Sequence, residues 1–293
     1  MVDLNKLEHL VAVSEEGSFT RAAARLHLSQ QALSSSIRSL EREIGVDLLD
    51  RGGAAITALP AGRALIADAR VLQGVARAAV HRARRIGRGE TELLRIGHTP
   101  AVTGDEVTAL LRQAHADRPE LATQVNQRYP HELTEQLLSG ELDVGLCRAM
   151  APSRGLTRTV LANQRLRVAV DVSHPLARRE RVELAELAEE TIVVWGHPGS
   201  SGYTDLLVQR CRETGFEPAT VRNPIQGTPP VTAVVGTGHV AFVTAAAGYA
   251  ADERARVLEL DPPTTVPLHA LWPQNTTSEA RSALLSTDFS AFA

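Results

Sequence analysis

Five polar side chains along one stretch of this 293-residue chain can do recognition chemistry. Gln30, Gln31, Ser34, Ser35 and Arg38 recur at helical spacing and share one stripe. Only one of them is charged, where an ordinary solvated helix face more often carries Glu, Lys or Arg. A Gln amide pairs with an adenine edge, a Ser hydroxyl serves either partner, and an Arg fork reads guanine or grips phosphate. The stripe suits a helix laid against base edges; a neutral surface helix is the plain alternative. Ser18, Thr20, Ser29 and Arg51, from the same small unit, complete the candidate DNA contacts.

The elements that would hold this stripe follow from the flanking residues. Leu4, Leu7 and Val11 predict a first helix ending near Gly17. Ser18 can cap a second, Phe19 to Leu26. His27-Leu28 is a tight connection, and Ser29 can cap a third helix that Gly45 ends in a left-handed turn. On that helix Leu33, Ile37, Leu40 and Ile44 form an apolar stripe facing a core. Two short helices joined by a tight turn, about 19–38, read as a helix-turn-helix. Gly52-Gly53 and Ile56 fit a short hairpin, a wing, before Pro60 opens the next helix.

From Ala61 to Ile86 one long helical pattern runs, with Leu65, Leu72, Ala79 and Ile86 seven residues apart. That is the coiled-coil period, so these four are read as a dimerisation seam; packing on the helix's own domain is the alternative. Arg82, Arg84, Arg85 and Arg88 fall where they favour the helix dipole. Gly87-Arg88-Gly89 reads as a hinge. Strands then alternate with helices: strands at Leu93–Ile96, Thr123–Asn126, Asp143–Cys147, Leu166–Val170, Thr191–Trp195 and Val240–Val243, helices near 105–116 and 132–138. This grammar implies a mostly parallel sheet. The expected organisation is a winged head at 1–60, a linker helix at 61–88, and an α/β body at 89–293. One lobe takes about 89–160 with part of 227–293, the other about 161–226 with adjoining segments, and the chain crosses between them near 161 and 226.

Charge is unevenly shared. Residues 1–88 hold 13 Lys and Arg against 9 Asp and Glu, and residues 89–293 hold 18 against 25. A basic head on an acidic body suits nucleic-acid binding confined to the head. The N-terminus lacks a signal-peptide pattern and no apolar run could span a bilayer, so a cytoplasmic protein is expected. Two cysteines, Cys147 and Cys211, make no disulfide framework, and a regulatory bond between them is not expected. Scattered histidines give no metal site. No nucleophile triad, P-loop or dinucleotide fingerprint appears, so neither catalysis nor a cofactor is expected.

The head resembles the LysR-type transcriptional regulators. The likeness runs from Leu7 through Gly17-Ser18-Phe19-Thr20-Arg21-Ala22-Ala23-Ala24-Arg25-Leu26-His27-Leu28-Ser29-Gln30. It continues through Ala32-Leu33-Ser34, Ile37-Arg38-Ser39-Leu40-Glu41, Gly45-Val46-Asp47-Leu48-Leu49-Asp50-Arg51 and Ala61-Gly62. The body matches more loosely, at Gly140-Glu141-Leu142-Asp143-Val144-Gly145, His174-Pro175-Leu176-Ala177 and Val234-Val235-Gly236-Thr237-Gly238-His239-Val240. The resemblance implies an effector domain similar to periplasmic binding proteins, and a homodimer that commonly forms a tetramer. It also implies binding to an interrupted palindrome near a promoter, with RNA polymerase a further partner to consider. The chain departs from the family's usual residues at Gln31 (commonly Pro), at Ser35 and Ser36 (commonly Arg and Gln), at Ala54-Ala55 in the wing, and at Ala58-Leu59. Fewer basic groups mean fewer phosphate contacts.

Effector candidates come from the carboxyl ends of strands, where open α/β sheets bind ligands. By position the resemblance carries the role to Thr99, Tyr129, Ser200, Ser201 and Thr228. Thr99 and Ser200–Ser201 are read as lying at helix starts, which favour an anion. Arg148 could anchor a carboxylate or serve as a salt-bridge partner; Trp195 is read as core. The expectation is a transcription factor answering to a small, anionic effector between two lobes. The alternative is a solute-binding or enzyme-like α/β protein whose head contacts other proteins.

Overall fold

The computed structural model describes residues 3–53, 55–89, 93–225 and 229–289, and no side chain at 85 or 86. Three helices build the head: α1 (Leu4–Glu16), α2 (Phe19–Arg25) and α3 (Gln30–Ile44). Gly17 and Gly45 end α1 and α3 at φ of 58° and 82°, a backbone region that only glycine enters without strain. The Ser18 and Ser29 hydroxyls accept the N–H groups of Arg21 and Ala32, each satisfying one free helix donor. Leu33, Ile37 and Leu40 are fully buried against Leu7, Leu10, Val11, Ala22 and Ala23. Ile44, expected in that stripe, is 37% exposed, because it sits in the last turn beyond the cover of the other helices.

Strands β1 (Leu49–Asp50) and β2 (Thr57–Ala58) pair antiparallel and form the wing. Buried Glu41 fixes it to α3: its carboxylate accepts the Leu48 N–H at 3.0 Å and pairs with Arg51 at 2.6 Å. Burial pushes this carboxyl up, but the backbone donors and the Arg51 charge outweigh it and hold it below the usual carboxylate range.

Helix α4 runs unbroken from Pro60 to Arg88. The helix therefore absorbs Gly87, and the turn expected there begins only at Gly89, at φ 64°. Ile66 and Ala69 join the head's core, with Leu65 packed at its edge. Farther along, one side of α4 packs on its own body. A Cβ on Gly74 would lie 1.6 Å from the Leu138 carbonyl oxygen, so only glycine fits there. Arg82 donates to the Thr277 carbonyl and hydroxyl at 2.7 Å, a tether to the body instead of the expected dipole partnership. The other side leaves Leu72 and Val80 48% exposed, with Ala79 and Ala83 beside them.

The body contains β3 (Leu93–His98), α5 (Gly104–Asp117), β4 (Ala122–Gln127), α6 (Pro130–Leu138), β5 (Val144–Cys147) and β6 (Leu156–Asp171). There follow β7 (Arg181–Glu183), β8 (Thr191–Val194), α7 (Gly202–Glu213), β9 (Ala219–Arg222), α8 (Pro230–Ala233) and β10 (Val240–Val243). The chain closes with β11 (Gly248–Ala250), β12 (Ala255–Pro273) and α9 (Glu279–Ser286). The main sheet order is β4-β3-β5-β12-β6-β10-β8-β9. β3 runs parallel to β4 and β5, and β8 runs parallel to β9 and β10. Long β6 and β12 pair antiparallel along nearly their full length and join the two halves.

Each half has its own core. Leu94, Ile96, Leu110, Val144 and Leu268 belong to the first lobe, and Leu166, Ile192, Leu207, Phe242 and Val266 to the second. The chain thus enters lobe two between Ala162 and Leu166 and returns between Val266 and Leu268. The return lies well past residue 226, because β10 and half of β12 still build lobe two. The strand expected at Leu166–Val170 is 16 residues long, and β12 (19 residues) was not anticipated.

Candidate functional site

On the head, Gln30, Gln31, Ser34, Ser35 and Arg38 come together on one face of α3, with Arg42 and Arg51 at its rim. The α3 N-terminus, where backbone N–H groups point outward, opens the face beside Thr20, whose hydroxyl donates to the Gln30 side-chain amide oxygen at 3.4 Å. Gln30, Gln31, Ser35 and Arg38 are exposed and Ser34 half-exposed. Arg38 has no charged partner among the described residues, whereas Arg25 pairs with Glu15 and Arg51 with Glu41. Arg51 also lies 5.9 Å from the Phe19 ring centre, so its position is set inside the head. The Ser18 and Ser29 hydroxyls accept helix N–H groups as caps, which leaves each O–H able to donate to a phosphate. Arg42 escaped the sequence reading; its spacing four residues beyond Arg38 was the available signal.

Between the lobes lies a cleft of about 530 Å³. Thr99, Tyr129, Arg148, Ser200 and Ser201 all line it, together with Met150, Trp195, Tyr203 and Arg222. Thr228 lies outside the described residues. Half-buried Trp195 forms a wall of the cleft and is not simply core.

Thr99 is 3% exposed, and its N–H donates to the Leu146 carbonyl. It does not start a helix. Thr103 caps α5, with its hydroxyl accepting the Glu106 N–H and the Glu106 carboxylate accepting the Thr103 N–H. Ser201 does cap α7, as read from the sequence, and acidic side chains stand close to both helix starts. Glu132 accepts the Tyr129 N–H at α6, and at α7 Ser201 accepts the Thr204 N–H while Asp205 accepts that of Gly199.

Arg148 is 1% exposed, far from a surface arginine. Its guanidinium donates to the Ala101 carbonyl at 2.6 Å and to Glu106 at 2.7 Å, and also to Gln164. Glu106 in turn accepts the Thr244 hydroxyl, from lobe two, at 2.6 Å. Burial raises the Glu106 carboxyl, yet the Arg148 charge, the Thr244 hydroxyl and the Thr103 N–H together hold it below its usual value. The pair is therefore ionic. Arg148 Nε and Thr99 Oγ1 are buried without a hydrogen-bond partner among the described residues.

The two thiols are free and buried in different cores. Burial pushes Cys147 up to about 12 and Cys211 to about 11, which leaves neither as a thiolate near neutral pH. Among the described residues no cluster of His, Cys, Asp or Glu could hold a metal ion, and no helix is long and apolar enough to cross a membrane.

A winged helix-turn-helix joined by a long helix to a two-lobed α/β domain defines a ligand-responsive DNA-binding protein. The sequence comparisons name the family. The LysR substrate binding domain matches residues 87–287, and the bacterial regulatory helix-turn-helix of the lysR family matches residues 4–63. The chain belongs to the LysR family of transcriptional regulators. It is 36% identical over 208 residues to the uncharacterized HTH-type transcriptional regulator YnfL of Escherichia coli, covering 70% of each chain. It is 32% identical over 225 residues to BenM of Acinetobacter baylyi, covering 75% of this chain and 73% of that one. Its fold matches full-length OxyR from Pseudomonas aeruginosa with a TM-score of 0.64 at 20% identity, over 100% of this chain and 97% of that one. It also matches full-length CbnR complexed with its target DNA, with a TM-score of 0.60 at 22% identity, over 98% and 99%.

Proposed function

We propose that α3 reads promoter DNA through Gln30, Gln31, Ser34, Ser35 and Arg38, with Thr20 and Arg51 beside it, and that α4 pairs two copies. A small-molecule effector in the inter-lobe cleft then shifts the lobes, and α4 passes that shift to the heads. The observation that carries this reading is convergence: Thr99, Tyr129, Arg148, Ser200 and Ser201, scattered in sequence, line one cleft beside an unpartnered hydroxyl. CbnR, whose fold is shared, has been seen with its target DNA, which supports the use of the head. Tetramer formation, contact with RNA polymerase and a cytoplasmic location belong to the same reading.

A ligand acts as a switch only when it prefers one lobe arrangement. Thr99→Val keeps the side chain's shape and removes its hydroxyl. The variant is expected to fold as wild type and to weaken effector binding about fivefold, the effect of one hydrogen bond. Calorimetry and mobility shift with metabolites of neighbouring pathways check this. Equal affinity and equal regulation in Thr99→Val would place the effector elsewhere.

A further inference from the structure

We infer that the cleft takes an uncharged aromatic molecule headed by a hydrogen-bond acceptor, such as an amide or ketone oxygen, and excludes a carboxylate. The inference rests on the cleft being the effector site and concerns the chemistry of its occupant.

Among the described residues lining the cleft, Arg148 at its floor is the one buried cation, and its charge is already cancelled. Glu106 lies 2.7 Å from it, with Arg148 buried and Glu106 only 12% exposed. The Ala101 carbonyl and Gln164 take further guanidinium donors. What the floor still offers is the Nε–H of Arg148 and the hydroxyl of Thr99. These two residues follow the carboxyl ends of adjacent parallel strands, β5 and β3, with His98 beside Leu146 in register. Two unpartnered donors on neighbouring strand ends suit an acceptor oxygen. A buried polar atom left unpaired is costly, so the floor favours a ligand that supplies that oxygen.

A carboxylate would bring a second negative charge beside Glu106 without a second cation to meet it, and burying an uncompensated charge is strongly unfavourable. The nearby helix N-termini give little relief, since Glu106 and Glu132 already accept N–H groups at α5 and α6, and Asp205 places a carboxylate in the first turn of α7. Arg222 lies exposed at the open mouth, where solvent screens it.

The walls decide the body of the ligand. The aromatic rings of Tyr129, Trp195 and Tyr203 line the cleft, with the Tyr203 ring 5.9 Å from the Arg148 guanidinium, and Val193, Leu207 and Phe242 pack behind Trp195 and Tyr203. An aromatic ring meets aromatic side chains favourably in stacked or edge-on contact.

Benzamide and benzoate are matched in shape and differ in charge. In calorimetric titration of the full chain, benzamide is expected to bind at least tenfold more tightly than benzoate. Thr99→Val should weaken benzamide selectively. Glu106→Gln keeps the cap on α5 and frees the Arg148 charge, so it should reverse the order in favour of benzoate; circular dichroism checks that this variant folds, and the wild-type comparison stands without it. Benzoate binding wild type as tightly as benzamide, or neither probe binding at millimolar concentration, would overturn the inference. So would a folded Glu106→Gln that keeps the wild-type order. If the inference falls while Thr99→Val still blunts the response to a natural metabolite, the site stands and only its chemistry is reassigned.

Discussion

Glutamate at Leu72 and Ala79 together is expected to leave the protein monomeric and to reduce operator binding by two orders of magnitude or more. Leu72 is apolar yet 48% exposed, and it lies on the side of α4 away from Gly74 and the body. Leu65, Ala76, Ala79 and Ala83 share that side, and small residues allow a second helix to approach closely. Two copies related by a two-fold axis would bring each glutamate toward its own kind. Like charges buried in a seam destabilise it strongly. Operator affinity falls with the seam, because two linked heads bind about 100- to 10,000-fold more tightly than one when both half-sites are engaged. Light scattering and mobility shift read the two effects separately. A double variant of unchanged mass would exclude this seam. Of the four residues first assigned to it, Leu65 is partly taken by the head's core, and the Ile86 side chain lies outside the description.

The second large effect is on the reading helix. Arg38→Ala is expected to weaken binding to all sequences alike and to lower the salt slope by about one, as loss of a phosphate contact does. Gln31→Ala is expected to relax preference at a single base position, since a good base contact is worth about 1–3 kcal/mol of discrimination. Selection from a random library, scored by position, distinguishes these outcomes. If Gln31→Ala and Ser35→Ala both leave the selected pattern unchanged, α3 does not read bases through this stripe.

The head was nearly fully legible because each boundary is written locally. Ser18 and Ser29 cap helices, Gly17 and Gly45 end them, and the apolar stripe of α3 repeats with helical period. The body was less legible where contacts decide over pattern. Asp261-Pro262-Pro263 interrupts the apolar run of β12, so a 19-residue strand that crosses both lobes reads as a loop. Helix α5 was read near 105–116, close to its observed start at Gly104, but Thr99 was separately read as lying at a helix start, although Thr103 and Glu106 spell the capping box that sets it. Arg148 carried no local sign of burial; its partners Glu106 and Gln164 come from other elements and meet it only in the fold. The same three-dimensional pairing is what the proposal of an uncharged effector rests on.

The most direct measurement of the central claim is selection of genomic fragments by the wild-type chain near physiological salt. The account predicts enrichment of an interrupted palindrome whose half-sites lie a whole number of helical turns apart, about 10.5 base pairs per turn, as two heads on one face of the duplex require. Fragments recovered in proportion to their abundance, with no shared motif, would contradict it.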